Sequence, residues 1–155
     1  MSMNIQKISK EQVGLFENLS QDYEAEFAPL TGARPNSLGN YPISTPLSQA
    51  AIGYILFFSN RPAGFCVVET SLSQTSMAEF YIVPEMRRQG LGASFAFHIF
   101  NLYPGSWEVK ELEGAKKAIA FWRSTIKDYT NGSYEEKDLN DSRWGPVICQ
   151  TFEAT

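Results

Sequence analysis

AEFYIVPEMRRQGLGASF, residues 78–95, decides how this chain is read. An apolar run reaches Val83 and stops at Pro84, which has no amide to give a sheet ladder. Arg87 and Arg88 follow, then Gly90-Leu91-Gly92, then apolar residues at helical spacing. The stretch therefore reads as a strand from Ser76 to Val83, a basic turn, and a helix from Gly90 to about Asn101. Amides at a helix start lack intrahelical partners and carry the positive end of the dipole. Two glycines leave those amides uncovered, which makes a cradle for a phosphate group. The arginines add charge-assisted donors.

Other phosphate loops do not fit. A Walker A loop needs Gly-x-x-x-x-Gly-Lys-Ser/Thr, which is absent. A dinucleotide fingerprint needs a third Gly or Ala where this chain has Phe95. What is present is Arg-x-x-Gly-x-Gly at 87–92, behind a strand that ends in Val-Pro.

The 155 residues, 43% hydrophobic and 19% charged, predict one globular domain over 1–155. A net charge of −4 argues against a nucleic-acid partner and for a cationic one, such as an amine. Cys66, Cys149 and the single histidine, His98, cannot build a usual zinc site, so no metal is expected. Both cysteines lie in apolar contexts and read as buried free thiols. No run of about 20 apolar residues is present to span a membrane, and MSMNIQKISKEQ lacks the apolar core of a signal peptide. A cytoplasmic chain without a membrane partner is the expectation.

NIQKI reads as a strand, and Ser9 with Gln12 as a capping box for a helix that runs to about Phe27 and ends before Pro29. Residues 29–49 are rich in Pro, Gly, Ser and Asn and read as a long loop. AAIGYILFFS and AGFCVVET form a hairpin around NRP. After the helix at 90–101 come a strand in WEVKEL, a helix from about Ala115 to Lys127, and two final strands. The strand–helix–strand unit over 76–110 is a right-handed crossover, so its two strands are parallel.

FYIVPEMRRQGLG resembles the acyl-CoA signature of the GNAT family of N-acetyltransferases, and WEVKELEGAKKAIAFW resembles the strand and helix that come after it there. The element order matches as well, so the resemblance covers most of the chain. It implies an α/β (α+β) GNAT fold: a mixed sheet of six to seven strands flanked by helices, with a splay between the two central parallel strands. It further implies acetyl-CoA as cosubstrate. The pyrophosphate would lie on Arg87, Arg88, Gln89, Gly90, Leu91, Gly92 and Ala93. Backbone groups of Ile82 and Val83 would hold pantetheine, with Trp122 packed against it.

The implied reaction is direct attack by an amine, which arrives protonated and needs a base. Glu79, a charge inside an apolar strand, and Glu108 in the next strand are the two candidates. If alternation holds, Glu79, Tyr81 and Val83 share one face. Many relatives carry Asn and, seven residues on, a Tyr that protonates the thiolate. Here those positions hold Ala115 and Trp122, which leaves Tyr129, Tyr103 or Tyr81 as an acid. His98 reads as solvent-exposed. Tyr23, Glu24 and Glu26, with the 29–49 loop, would form an acidic rim for the acceptor.

The function expected is transfer of acetyl from acetyl-CoA to a primary amine, with a small molecule as acceptor. A non-catalytic acyl-CoA-binding or regulatory domain and a peptide N-terminal acetyltransferase are the alternatives, and a nucleotide-binding regulatory module is more distant. Edge strands leave room for a homodimer.

Overall fold

The computed structural model describes residues 2–155. The strands are β1 (Met3–Lys7), β2 (Ala51–Phe58), β3 (Arg61–Thr70), β4 (Thr75–Ile82), β5 (Gly105–Leu112), β6 (Glu135–Asp141) and β7 (Gly145–Ala154). The helices are α1 (Val13–Thr31), α2 (Leu91–Leu102) and α3 (Lys116–Thr130). The strands form one seven-stranded sheet in the order β1-β2-β3-β4-β5-β7-β6. Only β4 and β5, joined through α2, are parallel. Both the chain order and the parallel pair are those the sequence predicts.

The sheet is covered on both faces. Phe16 and Leu19 of α1 pack with Ile55, Phe65, Val67 and Tyr81 on one face. Phe95, Ile99 and Phe100 of α2 and Trp122 and Ile126 of α3 pack with Leu56, Cys66 and Trp107 on the other. Strands buried on both faces need apolar residues at successive positions, which is why β2 and β3 read as continuous apolar runs. Cys66 and Cys149 are buried and free. Burial pushes the Cys66 thiol far up and that of Cys149 to about 11.

The first helix differs from expectation. It passes Pro29 and ends at Thr31. The missing proline amide removes a bond only in the last turns, where it costs least. The stop comes from Gly32, left-handed at φ 76°, whose amide donates to the Ala28 carbonyl at 2.9 Å. At the other end the Ser9 amide donates to Gln12 Oε1 at 3.1 Å, but the turn it caps is a short 3-10 segment, Lys10–Gln12, leading into α1.

Two irregularities in β4 shape the centre of the sheet. Val67 faces Glu79 and Val68 faces Met77, so Ala78 is an extra residue, a β-bulge. The bulge turns Met77 towards α2 and α3 and leaves Tyr81 and Val83 on the α1 side. On its other edge β4 pairs with β5 only at Thr75↔Trp107 and Ser76↔Glu108, and beyond these the strands part.

The opposite edge of β4 is held tightly against β3. A Cβ on Gly64 would press into the Tyr81 carbonyl oxygen, well inside van der Waals contact, and lie 3.0 Å from Ile82 Cδ1. Gly64→Ala should therefore destabilise the protein by about 1–3 kcal/mol or more in denaturant titrations. Wild-type stability in that variant would mean that β3 and β4 separate here without cost.

Candidate active site

The divergence of β4 from β5 leaves part of the β4 edge without a strand partner. Val83 donates its amide to the Ala63 carbonyl at 2.8 Å, and Tyr81 pairs with Phe65. In an antiparallel pair, alternate residues bond to the partner strand, so the peptide groups of Phe80 and Ile82 turn to the gap. This corrects the expectation for Val83, whose amide is already used. Ile82 is on the right edge, but its carbonyl accepts Arg87 Nε at 2.8 Å. The groups left open are the Ile82 amide and both peptide groups of Phe80.

The basic turn also divides its labour. Arg88 and Gly90 are both left-handed, at φ 65° and 78°. No turn or cap hydrogen bond is donated by any amide from Arg88 to Ala93; the first is from Ser94, to the Gly90 carbonyl at 3.2 Å. Those amides, including Gln89, Leu91, Gly92 and Ala93, are left without such a partner where α2 begins. Gly92 serves packing as well: a Cβ there would meet Phe121 Cε1 of α3 at 2.9 Å. Arg87 is committed elsewhere. Its Nη2 bonds Glu26 Oε1 of α1 at 2.8 Å, and its guanidinium lies 5.5 Å from the Tyr81 ring centroid. Arg88 remains as the exposed cation of the cradle.

Between the diverging strands lies a cleft of about 310 Å³. β4 contributes Glu79 and Phe80, β5 contributes Glu108, Lys110 and Glu111, α3 contributes Ala118 and Trp122, and Ala115 lines it just before α3. Its outer side is closed by two loops. Gln21 of α1 bonds both peptide groups of Tyr41, at 2.8 and 2.6 Å, and Glu24 Oε2 accepts the Ser44 amide at 2.8 Å. Arg143, in the β6–β7 turn, donates to the Ser44 carbonyl and packs over Trp144 at 4.6 Å. The loop over 32–50 is thus stitched to α1 and touches the last hairpin, with Ser44 and Thr45 facing the cleft.

Glu79 is 8% exposed, and its Oε2 has no hydrogen-bond partner. Burial pushes its carboxyl up to about 8, and the charges of Glu24 and Glu69 push the same way. The Tyr23 hydroxyl and Arg143 offset this in part. Tyr23 is itself held well above its ordinary range, first by burial and then by the Glu79 and Glu24 charges, so it stays a donor.

A second buried carboxyl, Glu111, lines the same cleft and was not among the residues expected there from the sequence. It is 4% exposed, on the β5 face shared with Trp107 and Val109. Gln150 of β7 donates its side-chain amide to Glu111 Oε1 at 2.8 Å and to Glu136 Oε1 at 2.9 Å. Glu136 in turn takes two bonds from Arg123, at 2.9 and 2.8 Å. Glu111 Oε2 is without a partner. Burial raises this carboxyl to about 8 despite the Gln150 hydrogen bond.

No family model matches the chain, and no curated protein matches it by sequence. Solved structures do. A GNAT-family protein from Bacteroides thetaiotaomicron superposes with TM-score 0.67 at 13% identity, covering 98% of this chain and 88% of that one. The Escherichia coli ribosomal-protein-S18-alanine N-acetyltransferase gives 0.64 at 13%, covering 99% and 95%. This chain has the GNAT fold. An aminoglycoside acetyltransferase in complex with coenzyme A also superposes, at 0.68 and 12% identity, covering 98% and 95%.

Within this GNAT fold the remaining candidates divide between the cleft and its surroundings. Glu108 reaches the cleft but is bridged to Lys110 at 3.0 Å, and Lys110 is bridged to Asp141 at 2.9 Å. Tyr129 is not in the cleft: it donates to Asn101 Oδ1 at 2.7 Å and packs on Phe97 and Phe100, beside the opposite end of β5. Tyr103 shares a hydrogen bond of 2.6 Å with Tyr54, and burial raises the Tyr81 hydroxyl to about 12. Trp122 lines the cleft edge-on to Phe80, with ring centroids 4.8 Å apart. His98 is exposed. Of the expected acidic rim, Tyr23 and Glu24 line the cleft, while Glu26 pairs with Arg87. Asp141, Ser142, Arg143 and Trp144 also line it, although NDSRWG reads in sequence as an ordinary turn.

An acyl-CoA fits the residues present. The unpartnered amides at the start of α2 suit a pyrophosphate, and the unpaired β4 edge offers donors and acceptors to an amide-bearing chain. The cleft beyond it would receive the acyl end.

Proposed function

We propose that this chain is an acetyl-CoA-dependent N-acetyltransferase acting on a small primary amine. The observation that carries the reading is an open strand edge running from an unpaired helix start to a buried, unpartnered carboxyl, Glu79. In this reading Arg88 and the amides of Gln89 to Ala93 bind the pyrophosphate. Phe80 and Ile82 hold pantetheine by their backbone. Trp122, Ala115 and Ala118 wall the acyl end. Bound acetyl-CoA supplies the activated acyl carbon. A backbone amide of the open β4 edge polarises its carbonyl.

Glu79 takes the proton from the acceptor. An alkyl ammonium has a pKa of about 10.4. A carboxylate of ordinary pKa would leave the transfer uphill by about 6 pH units, whereas one near 8 leaves about 2. Glu24, Glu69 and Glu108 make the approach negative, which favours a cationic acceptor. That cation in turn favours the ionised form of Glu79. A cleft of about 310 Å³, lined by Ser44 and Thr45 of the 32–50 loop, is at the small end of ligand sites, which supports a small acceptor over a peptide. The aminoglycoside enzyme and the S18-alanine enzyme represent these two acceptor classes among the structures of this fold.

Acetyl-CoA at a hundredfold excess over its dissociation constant should stabilise the fold by about 2.7 kcal/mol, a Tm rise of roughly 5–10 °C. Arg88→Glu should cut that rise sharply. No rise at millimolar acetyl-CoA would overturn the reading. One observation favours a second reading, a non-catalytic acyl-CoA binder: Trp122 occupies a position where a proton donor is expected. A binder gives the same Tm rise but no thiol release with any amine.

A further inference from the structure

The proposed reaction needs a proton donor on the side where the sulfur departs. α3 and its N-cap residue offer Ala118, Trp122 and Ala115 to the cleft, none of which has an acid suited to this step. The phenols of Tyr129, Tyr103 and Tyr54 are bonded away from it. The wall facing β4, however, carries Glu111, a buried carboxyl that bonds Gln150 through one oxygen and leaves the other without a partner.

We infer that Glu111 is the general acid that protonates the leaving sulfur, an inference that rests on the acetyltransferase reading of this cleft. Glu79 and Glu111 stand on the two strands that diverge, so base and acid flank the space where the acyl group would lie. Gln150 fixes Oε1 as the acceptor, which leaves the proton to Oε2. Burial keeps the group protonated at neutral pH. Of the charged groups around it, Glu136 on β6 reinforces this and Arg123 on α3 opposes it; Arg123 is bound to Glu136 rather than to Glu111. Lys110, the preceding residue on β5, is engaged by Glu108 and Asp141. Cys149, on β7, is a neutral thiol at this pH.

The step balances. The N–C bond forms as the C–S bond breaks, and the bonding pair passes to sulfur. Glu111 gives sulfur its proton and recovers one from water. Glu79 passes to water the two protons that nitrogen loses between ammonium and amide. One proton is released per turnover.

The test compares wild type with Glu111→Gln, which keeps an acceptor for Gln150. With acetyl-CoA and an accepted amine, kcat/KM of the wild type should trace a bell about pH 8, rising as Glu79 ionises and falling as Glu111 loses its proton. In Glu111→Gln that alkaline limb should vanish. The rate should drop about tenfold or more, less than many acid catalysts because a thiol of pKa about 8.5 leaves readily. The Tm rise with acetyl-CoA should stay unchanged. Independently of activity, carboxyl carbon NMR of glutamate-labelled wild type should show two resonances titrating near pH 8, those of Glu79 and Glu111, of which Glu111→Gln loses one. A Glu111 carboxyl that titrates in the ordinary range overturns the inference, even if the variant does not fold. So does a variant that keeps the wild-type rate and limb while the wild type binds and turns over acetyl-CoA. If the wild type shows no Tm rise with acetyl-CoA, the acetyltransferase reading fails first and Glu111 has no sulfur to protonate.

Discussion

Glu79→Gln should lower kcat/KM by about 10²–10⁴-fold, some 3–5 kcal/mol of transition-state stabilisation. The amide fills the same space, so the loss isolates the proton acceptor. The pH profile should change with it. In the wild type the acid limb of the bell about pH 8 is the ionisation of Glu79. In the variant that acid limb should disappear, while the acetyl-CoA-induced Tm rise persists. Glu108→Gln is the informative contrast. Its carboxylate is tied to Lys110 in a partly exposed pair, so its loss should cost no more than a few-fold. A Glu79→Gln enzyme with wild-type kcat/KM would remove Glu79 from the chemistry. A large loss in Glu108→Gln instead would move the base to β5.

The parts of this site that lie within one strand–turn–helix were legible in the sequence. Pro84, the paired arginines and Gly90 specify a strand end and an uncovered helix start by local rules alone. Glu79 stood out because an ionised group in an apolar strand is costly. What the sequence hid depends on partners far along the chain. Arg87 reads as a phosphate ligand, yet its partner Glu26 lies 61 residues away. Gly92 reads as a cradle residue, yet Phe121 of α3 also requires it to lack a Cβ.

Glu111 was obscured by its setting, since VKELEG looks like an ordinary charged strand end. A signal was nevertheless available. Trp107, Val109 and Glu111 fall on one face by strict alternation, so a buried Trp and Val imply a buried Glu. Tyr129 failed for the converse reason: it is a suitable residue type on the right helix, but three turns of α3 place it by the wrong end of β5. The long 32–50 loop has no periodic pattern, because Gln21, Glu24 and Arg143 fix it rather than its own residues.

The stability of the free protein should fall as pH rises from about 5 to about 8. Glu79 and Glu111 both have folded-state values near 8, above the ordinary glutamate value of 4.5. In that window the native state holds protons that the unfolded chain has lost. Unfolding stability must then decrease with pH, by up to about 1.4 kcal/mol per pH unit for each group. The contribution is complete below the unfolded value and gone above about 8, where the curve should flatten. Glu136 and Asp141 work in the other direction. Arg123 and Lys110, respectively, hold their carboxyls below the ordinary range, so their contribution is already lost as pH falls beneath that range. They leave the interval from 5 to 8 to the two buried carboxyls. Denaturant titrations at intervals of one pH unit should show the decline, and Glu79→Gln or Glu111→Gln should each remove about half of its slope. Either variant should therefore be more stable than wild type at pH 8, while at pH 5 that advantage is absent. A flat or rising wild-type profile between pH 5 and 8 would mean that neither carboxyl is held neutral by the fold. The same burial that makes the ionised protein less stable brings a carboxyl close enough to an amine in pKa to exchange a proton with it. Removing the charge should accordingly strengthen the fold and disable the chemistry in one substitution.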